Sequence, residues 1–218
     1  MSEPYFQRDG ITIYHGDCRT LMESGVGSPF EVDMLLADPP YGIDLQTDYS
    51  KLSGSTKNYK RVAGDAEPFD PKPLLVYRRV VLWGANHYHL RLPDGGGWLV
   101  WDKREGSGSN MFADAEMAWT SFKTPIRLYA HLWGVNRKSE KGRWLHPTQK
   151  PVALMRWILE SWTQPGDLIF DPYMGSGPIA EACRDTGRRY VGIELEEAYC
   201  EAAAQRFDQQ VLDLEAAA

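Results

Sequence analysis

Four consecutive residues, Asp38-Pro39-Pro40-Tyr41, combine groups that could bind an amine. The Asp38 carboxylate is an acceptor, and because prolines have no amide hydrogen, the Pro39 carbonyl stays available as a second acceptor beside it. Two acceptors that bind both hydrogens of an –NH₂ group free the nitrogen lone pair for attack on an electrophile such as a sulfonium methyl. Tyr41 adds a flat ring on which a nucleobase could stack. By itself, the tetrapeptide is also compatible with an ordinary Asp-Pro turn and a core tyrosine.

A second run, Asp171-Pro172-Tyr173-Met174-Gly175-Ser176-Gly177, follows a short apolar segment and leads into a helix that opens at Pro178. Glycines let the backbone approach a ligand closely, and the helix N-terminus is electropositive. Glu194 follows the apolar segment Tyr190–Ile193, where a carboxylate can accept hydrogen bonds from two ribose hydroxyls. The run lacks the Gly-x-Gly-x-x-Gly of dinucleotide sites and the Gly-Lys-Ser/Thr of triphosphate loops. It predicts a nucleoside-bearing cofactor.

Strands and helices in alternation must position these two runs. Short apolar segments predict buried strands, and periodic apolar stripes that begin at proline or end at glycine predict helices. The predicted strands cover 32–37, 80–85, 98–101, 168–170 and 190–193, and the predicted helices begin at 151, 178 and 196. Segments 115–122 and 126–133, joined by a turn at 123–125, predict an antiparallel hairpin at the sheet edge. The sum is an α/β fold with one doubly wound, mostly parallel sheet.

The chain of 218 residues is long enough for one continuous core, and no linker separates two domains. We therefore expect a single domain over 1–218, with a catalytic half at 11–134, a loop at 135–146 and a cofactor-binding half at 147–210. No apolar run is long enough to cross a membrane, and the first residues do not resemble a secretory signal, so the sequence predicts a cytoplasmic protein.

The net charge of −6 argues against a protein that coats nucleic acid by charge alone. Any nucleic-acid contact must come from local basic loops. These loops could equally be ordinary polar surface exposed to water. The candidate contacts are Lys51, Lys57, Lys60, Arg61, Arg137, Lys138, Lys141, Arg143 and Trp144.

No metal site is expected from the sequence. The three cysteines show no Cys-x-x-Cys spacing, and His87 and His89 have no third ligand near them.

Three motifs occur in one order: Asp38-Pro39-Pro40-Tyr41, then His146-Pro147-Thr148-Gln149-Lys150-Pro151, then the glycine run that begins at Asp171. Together they closely resemble the circularly permuted β class of S-adenosylmethionine-dependent DNA amino-methyltransferases, including prophage and restriction-modification adenine methylases. The resemblance spans residues 13–207. It implies base flipping, with double-stranded DNA as the substrate, and relatives in this class often form homodimers.

The resemblance also implies roles for individual residues. Glu194 would hold the cofactor ribose, Asp17 would receive its adenine amine, and Thr148 and Lys150 would contact its methionine carboxylate. The full implied S-adenosylmethionine site consists of Asp17, Asp38, Thr148, Lys150, Asp171, Pro172, Met174, Gly175, Ser176, Gly177 and Glu194.

The sequence departs from the usual family pattern in three places. Tyr173 and Pro178 stand where phenylalanine and threonine are common, and Pro178 provides no hydroxyl. The stretch 134–144, where larger relatives carry a target-recognition region, is only a loop, which predicts short or relaxed sequence specificity.

Several functions stay open at this level. Within the family, aspartate at the head of the tetrapeptide is more typical of adenine enzymes and serine of cytosine-N4 enzymes, so Asp38 favours adenine. Structured RNA is a further substrate, because an amine site does not by itself read the sugar. From other classes, a DNA-binding regulator that has lost catalysis and a nicotinamide oxidoreductase are the alternatives.

Overall fold

The computed structural model describes residues 2–45, 61–109, 113–133 and 149–216. The chain divides into two compact units. The terminal unit combines residues 2–34 with 149–216, and the central unit comprises the described residues from 35 to 133. That residues 1–218 act as one domain stays a prediction.

Within the described residues, the chain forms nine strands and five α-helices. The strands are β1 Phe6–Arg8, β2 Ile11–His15, β3 Met34–Ala37, β4 Val80–Trp83, β5 Gly97–Asp102, β6 Ala115–Thr120, β7 Arg127–Ala130, β8 Leu168–Asp171 and β9 Arg189–Glu194. The helices are α1 Cys18–Glu23, α2 Ala85–Tyr88, α3 Val152–Trp162, α4 Pro178–Asp185 and α5 Glu197–Ala216. The apolar segments and helix starts predicted from the sequence are confirmed to within a few residues.

The strands of the terminal unit lie in the order β1-β2-β9-β8. β1 and β2 form an antiparallel hairpin, whereas β2, β9 and β8 run parallel. The hairpin turns at Asp9 and Gly10, whose φ angles of 49° and 79° are those that a tight two-residue turn needs. The parallel strands bring the carboxyl ends of β8 and β9 to the same edge of the sheet.

Helices cover this parallel part of the terminal unit. α3 packs on α4, while α4 and α5 contact β9. The inward face of α3 consists of Leu154, Met155, Ile158 and Leu159, all fully buried, which confirms an amphipathic helix after Pro151. No α-helix in the described ranges combines the length and the hydropathy that a membrane crossing requires.

In the central unit the strands lie in the order β3-β4-β6-β5-β7. β3 runs parallel to β4 and β5 runs parallel to β7, while β6 is antiparallel to both of its neighbours, β4 and β5. The carboxyl ends of β3, β4, β5 and β7 therefore point to one edge, and the start of β6 lies at the same edge. Side chains just beyond these ends can meet.

The predicted hairpin between 115–122 and 126–133 is wrong, although both segments are strands. β6 pairs with β4 and β5, and β7 pairs with β5 on its other side. The connection at 121–126 contains no glycine or asparagine and no residue with positive φ, which a tight hairpin turn needs. Because Ala118, Trp119 and Thr120 are buried, β6 takes an interior position in the sheet and the chain passes over to the far edge.

Candidate active site

Asp38 follows β3, whose four residues are all fully buried, and is itself only partly buried. The Tyr41 hydroxyl donates a hydrogen bond of 2.6 Å to Asp38 Oδ1. The carboxylate is therefore oriented by a side chain of its own turn, at the carboxyl end of a strand where ligand sites of α/β sheets lie.

The Tyr41 ring lies against the turn that follows β4. It stacks on His87 of α2 with a centroid distance of 5.2 Å and an interplanar angle of 14°. Gly84 has a φ of 69°, and a Cβ there would collide with the Tyr41 ring, so only glycine fits at this position. Burial, followed by the charges of Asp38 and Glu116, raises the pKa of Tyr41 well above its ordinary value. Tyr41 therefore remains a protonated donor at neutral pH.

An ion pair between the residue after β5 and the second residue of β6 adjoins the tetrapeptide. Lys103 Nζ lies 2.8 Å from Glu116 Oε1 and 5.3 Å from the centroid of the Trp101 ring. The other Glu116 oxygen, Oε2, lies 3.5 Å from the Tyr41 hydroxyl. The start of β6 thus brings a second carboxylate to the turn that carries Asp38.

Asp65 fixes the segment that follows the tetrapeptide. Its Oδ1 accepts the Gly42 amide at 2.9 Å, and its Oδ2 accepts the Leu45 amide at 2.7 Å. Gly42 has a φ of 75°, and a Cβ there would lie 2.7 Å from the Glu67 carbonyl oxygen. Because Asp65 is 5% exposed and binds backbone amides, it holds the exit of the turn rigid.

A cavity of about 240 Å³ lies beside this turn. Its walls are largely aromatic and include one arginine, Arg91, whose guanidinium donates to the Phe69 carbonyl at 2.6 Å. The lining residues are Tyr41, Gly42, Pro68, Phe69, His87, Tyr88, His89, Leu90 and Arg91.

In the terminal unit, Asp171 at the end of β8 is completely buried. Its Oδ1 accepts the Tyr173 amide and its Oδ2 accepts the Tyr190 hydroxyl, each at 3.1 Å. Tyr190 reaches Asp171 across Gly192, where any Cβ would collide with the Tyr190 ring. Burial raises the pKa of Tyr190 well above its ordinary value, and the nearby charge of Asp171 adds to it. The buried carboxylate therefore anchors the start of the glycine run.

Glu194 at the end of β9 anchors the middle of the same run. Its Oε2 accepts the Gly175 amide at 2.7 Å and its Oε1 accepts the Glu196 amide at 2.8 Å. Gly175 has a φ of 54°, and a Cβ added there would meet no atom within 4 Å. The glycine run therefore borders open space next to a half-buried carboxylate, which fits a nucleoside-bearing ligand. Burial raises the pKa of Glu194 above its ordinary value.

The rest of the run is closely packed. Met174 is 2% exposed and its amide donates to the Ile193 carbonyl at 2.9 Å, while Ser176 Oγ donates to Gln149 Oε1 at 2.9 Å. Pro172 is buried too, and Gly177 has a φ of 79° as the residue before α4. Lys150 is only 4% exposed, so it is not a surface charge.

Asp17 follows Gly16, whose amide donates to the Glu194 carbonyl at 2.9 Å. Its Oδ1 accepts the amides of Arg19 and Thr20 at 3.0 and 3.1 Å and so caps α1. The Tyr173 hydroxyl and the Cys18 thiol share a hydrogen bond, and burial raises the pKa of both groups. A phenylalanine at 173 could not make this link between the glycine run and α1.

Of the predicted DNA contacts, Arg61 is described. Its side chain is 70% exposed and forms an ion pair of 3.4 Å with Asp44. The other predicted contacts, and the predicted cofactor ligand Thr148, lie outside the described residues: Lys51, Lys57, Lys60, Arg137, Lys138, Lys141, Arg143 and Trp144.

Asp65, Lys103 and Glu116 are not predicted by the sequence motifs, and His87 was considered there only as a metal ligand. Two of these residues could have been proposed from the sequence, since Lys103 directly follows β5 and His87 follows β4, and both strands end at the edge where Asp38 lies. Glu116 could not be found in this way, because its place depends on the antiparallel insertion of β6. Among the described residues there is no group of three or more candidate metal ligands.

Two curated relatives carry methylase or methyltransferase names. The methylase YubD of Escherichia coli (strain K12) is 48% identical over 61 residues, which cover 28% of this chain and 27% of YubD. The type II methyltransferase M2.LlaDCHI of Lactococcus lactis subsp. cremoris is 22% identical over 253 aligned positions, which cover 96% of this chain and 93% of that protein.

Two solved structures share the fold. The cytosine-N4-specific PvuII DNA methyltransferase matches with a TM-score of 0.64 at 15% identity and covers 94% of this chain and 89% of its own. The complex of M1.HpyAVI with S-adenosylmethionine matches with a TM-score of 0.58 at 23% identity and covers 90% and 98%. The predicted α/β methyltransferase fold is confirmed.

Residues 97–205, half of the chain, match the DNA methylase family of the N6/N4 type. This range contains β5 to β9, the glycine run and Glu194. The predicted cofactor, S-adenosylmethionine, is confirmed at the level of this family. The chain belongs to the N6/N4 family of DNA methylases.

Proposed function

We propose that this protein is an adenine-N6 DNA methyltransferase of the circularly permuted β class. The observation that carries the proposal is the Asp38 carboxylate, partly exposed at the carboxyl end of β3 and oriented by the 2.6 Å hydrogen bond from Tyr41. The tetrapeptide precedes the glycine run in the chain, which is the motif order of that class. Within the family, aspartate at the head of the tetrapeptide favours adenine over cytosine.

Asp38 and the Pro39 carbonyl act on the amine. The exocyclic nitrogen of a base is a weak nucleophile because its lone pair is delocalised into the ring. When Asp38 and Pro39 accept its two hydrogens, the nitrogen moves toward tetrahedral geometry and its lone pair becomes available. The nitrogen loses one proton as it gains the methyl group, and Asp38 is the acceptor for that proton.

S-adenosylmethionine, when bound, supplies a methyl group on a positively charged sulfur. The residues of the terminal unit that would hold it are those of the glycine run, with Glu194 at the ribose and Asp17 at the adenine. Lys150 would meet the methionine carboxylate, and its positive charge suits that group. The open space at Gly175 supports this assignment.

The base must leave the duplex to reach Asp38, and the aromatic side chains beside the tetrapeptide support this step. Tyr41 and the aromatic cavity next to it provide surfaces on which bases stack. The predicted basic contacts, of which Arg61 is the one among the described residues, bind DNA phosphates independently of sequence.

The test is to incubate the purified protein with methyl-labelled S-adenosylmethionine and DNA, then to identify the modified nucleoside by mass spectrometry. The expected product is N6-methyladenine in duplex DNA. N4-methylcytosine as the sole product would replace adenine by the alternative base within the same family. If only RNA is labelled, the substrate is RNA and not DNA. If no nucleic acid is labelled although the cofactor binds, the result favours a regulator without catalysis.

A further inference from the structure

We propose that Lys103, paired with Glu116, is a positioning residue for methylation that acts on Asp38 through the hydroxyl of Tyr41. The inference rests on the proposed function, because it takes Asp38 as the group that binds the amine. The geometry that carries it lies entirely in the central unit, in a chain of three contacts: Lys103 to Glu116 at 2.8 Å, Glu116 to Tyr41 at 3.5 Å, and Tyr41 to Asp38 at 2.6 Å.

The Tyr41 hydroxyl has one proton and two carboxylates within reach. It can donate a good hydrogen bond to only one of them, and the shorter distance assigns the proton to Asp38. The orientation of the Asp38 carboxylate therefore depends on which carboxylate holds the proton of Tyr41. A shift toward Glu116 would loosen Asp38.

Lys103 biases that choice. Its ammonium binds Glu116 directly and offsets the negative charge, so that Glu116 competes less for the Tyr41 proton. The side chains of Lys103 and Glu116 are only 18% and 22% exposed, so water screens the pair less than it screens a surface ion pair. Trp101, 5.3 Å from the ammonium, favours a cation at this place.

The contacts around Tyr41 leave the hydroxyl little freedom. His87 covers one face of the ring, and the ring touches Gly84 so closely that no Cβ fits there. With the ring held in this way, the Glu116 charge that Lys103 offsets influences which carboxylate holds the Tyr41 proton. The pair thus preorganises the acceptor before the amine arrives.

The experiment compares Glu116→Gln, Lys103→Met and Tyr41→Phe, alone and in combination, in the full-length protein. We expect Lys103→Met to lower kcat about tenfold while the Kd for S-adenosylmethionine and the KM for DNA stay within about twofold, because Glu116 without the charge of Lys103 competes more strongly for the Tyr41 proton. Glu116→Gln removes the competing charge, so it should leave kcat within about twofold of wild type and should restore kcat when it is added to Lys103→Met. In the Tyr41→Phe background, either change should have no further effect, since the hydroxyl through which the pair acts is absent.

Arg206→Met is the matched control for Lys103→Met. Glu181 pairs with Arg206 at 2.9 Å, and the two side chains are 23% and 20% exposed, which closely matches the Glu116 pair. This pair joins α4 to α5 and does not include Tyr41, so kcat should not change.

Several outcomes would overturn the inference. Wild-type kcat in Lys103→Met, no recovery when Glu116→Gln is added to it, or multiplied losses when Lys103→Met is combined with Tyr41→Phe would exclude action through the hydroxyl. If Lys103→Met does not fold, Lys103→Gln in the same backgrounds decides by the same criterion. A wild-type protein that methylates no DNA would instead refute the proposed function itself, so the two failures are distinguishable.

Discussion

Two Asp-Pro turns, Asp38-Pro39 just after β3 and Asp171-Pro172 at the end of β8, look alike in the sequence but differ in the structure. Each follows a buried strand and is followed closely by a tyrosine, Tyr41 or Tyr173. Asp171 is completely buried and accepts a backbone amide and the hydroxyl of Tyr190. Asp38 is partly exposed and is oriented by the tyrosine of its own turn.

The difference separates two tasks of a carboxylate. A buried carboxylate with protein donors stabilises the backbone that it binds, and it cannot be removed without leaving those donors unsatisfied. A partly exposed carboxylate can exchange water for a substrate amine. Asp171 therefore supports the shape of the glycine run, and Asp38 is the one suited to chemistry. Substitution of Asp38 should therefore lower activity more than stability, and substitution of Asp171 should lower stability first.

The largest effect is expected for Asp38→Ala. Removal of the acceptor should lower kcat by about 10²–10⁴-fold, while S-adenosylmethionine binding remains largely intact and the free energy of unfolding changes by less than about 1 kcal/mol. Single-turnover methylation, calorimetric cofactor binding and urea unfolding measure the three quantities. Near-normal turnover in this variant would refute the role of Asp38 in the reaction.

Asp171→Ala should give the reverse pattern. The Tyr190 hydroxyl and the Tyr173 amide both lose an acceptor in a buried region, which should lower the free energy of unfolding by about 2–4 kcal/mol. Cofactor binding should weaken with it, because the glycine run loses its anchor. Tyr190→Phe is the control, since it removes the hydroxyl together with its need for a partner and should cost less. A stable Asp171→Ala protein with normal binding would show that the two turns do not differ as described.

Glu194→Gln tests the carboxylate that anchors the glycine run beside the open space at Gly175. A glutamine offers one carbonyl oxygen in place of the two that bind Gly175 and Glu196, so we expect about tenfold weaker cofactor binding.

The pH dependence of this binding sharpens the test. Burial raises the folded-state pKa of Glu194 above its ordinary value, so the group takes up a proton at a higher pH than a free carboxyl. Affinity for S-adenosylmethionine should therefore fall on acidification before ordinary carboxylates titrate, and Glu194→Gln should abolish that early fall. An identical acid dependence in both proteins would contradict the role of Glu194.

The smallest effect is expected for Arg61→Glu. Its side chain is exposed and, among the described residues, pairs with the exposed Asp44, so stability should hardly change. If Arg61 contacts phosphate, DNA binding should weaken several-fold on all sequences, and the salt dependence should lose about one charge. An unchanged slope of log Kd against log salt concentration would place Arg61 away from DNA. Arg127→Glu, on the exposed edge strand β7, is a charge-matched comparison.

Much of the fold could be read from local patterns. The apolar runs at β3, β4, β8 and β9 and the apolar stripe of α3 are confirmed. Strands buried in a parallel sheet form continuous apolar runs, and a helix that buries one face repeats its apolar residues with the helical period, so both can be recognised in the sequence. The order of the central strands could not be read in the same way. Residues 115–122 and 126–133 are strands in both prediction and structure, but their partners lie elsewhere in the chain.

The candidate site divides along the same line. The sequence by itself determined the tetrapeptide, the glycine run and Glu194, because each of them lies directly at a strand end and carries its chemistry within a few residues. Only the tertiary structure decided that Asp171 bonds to Tyr190, that Asp65 binds the amides of the loop after Tyr41, and that Glu116 reaches Tyr41. These contacts join residues that are distant in the chain, and their formation depends on strand order and register, which no local pattern of residue types encodes.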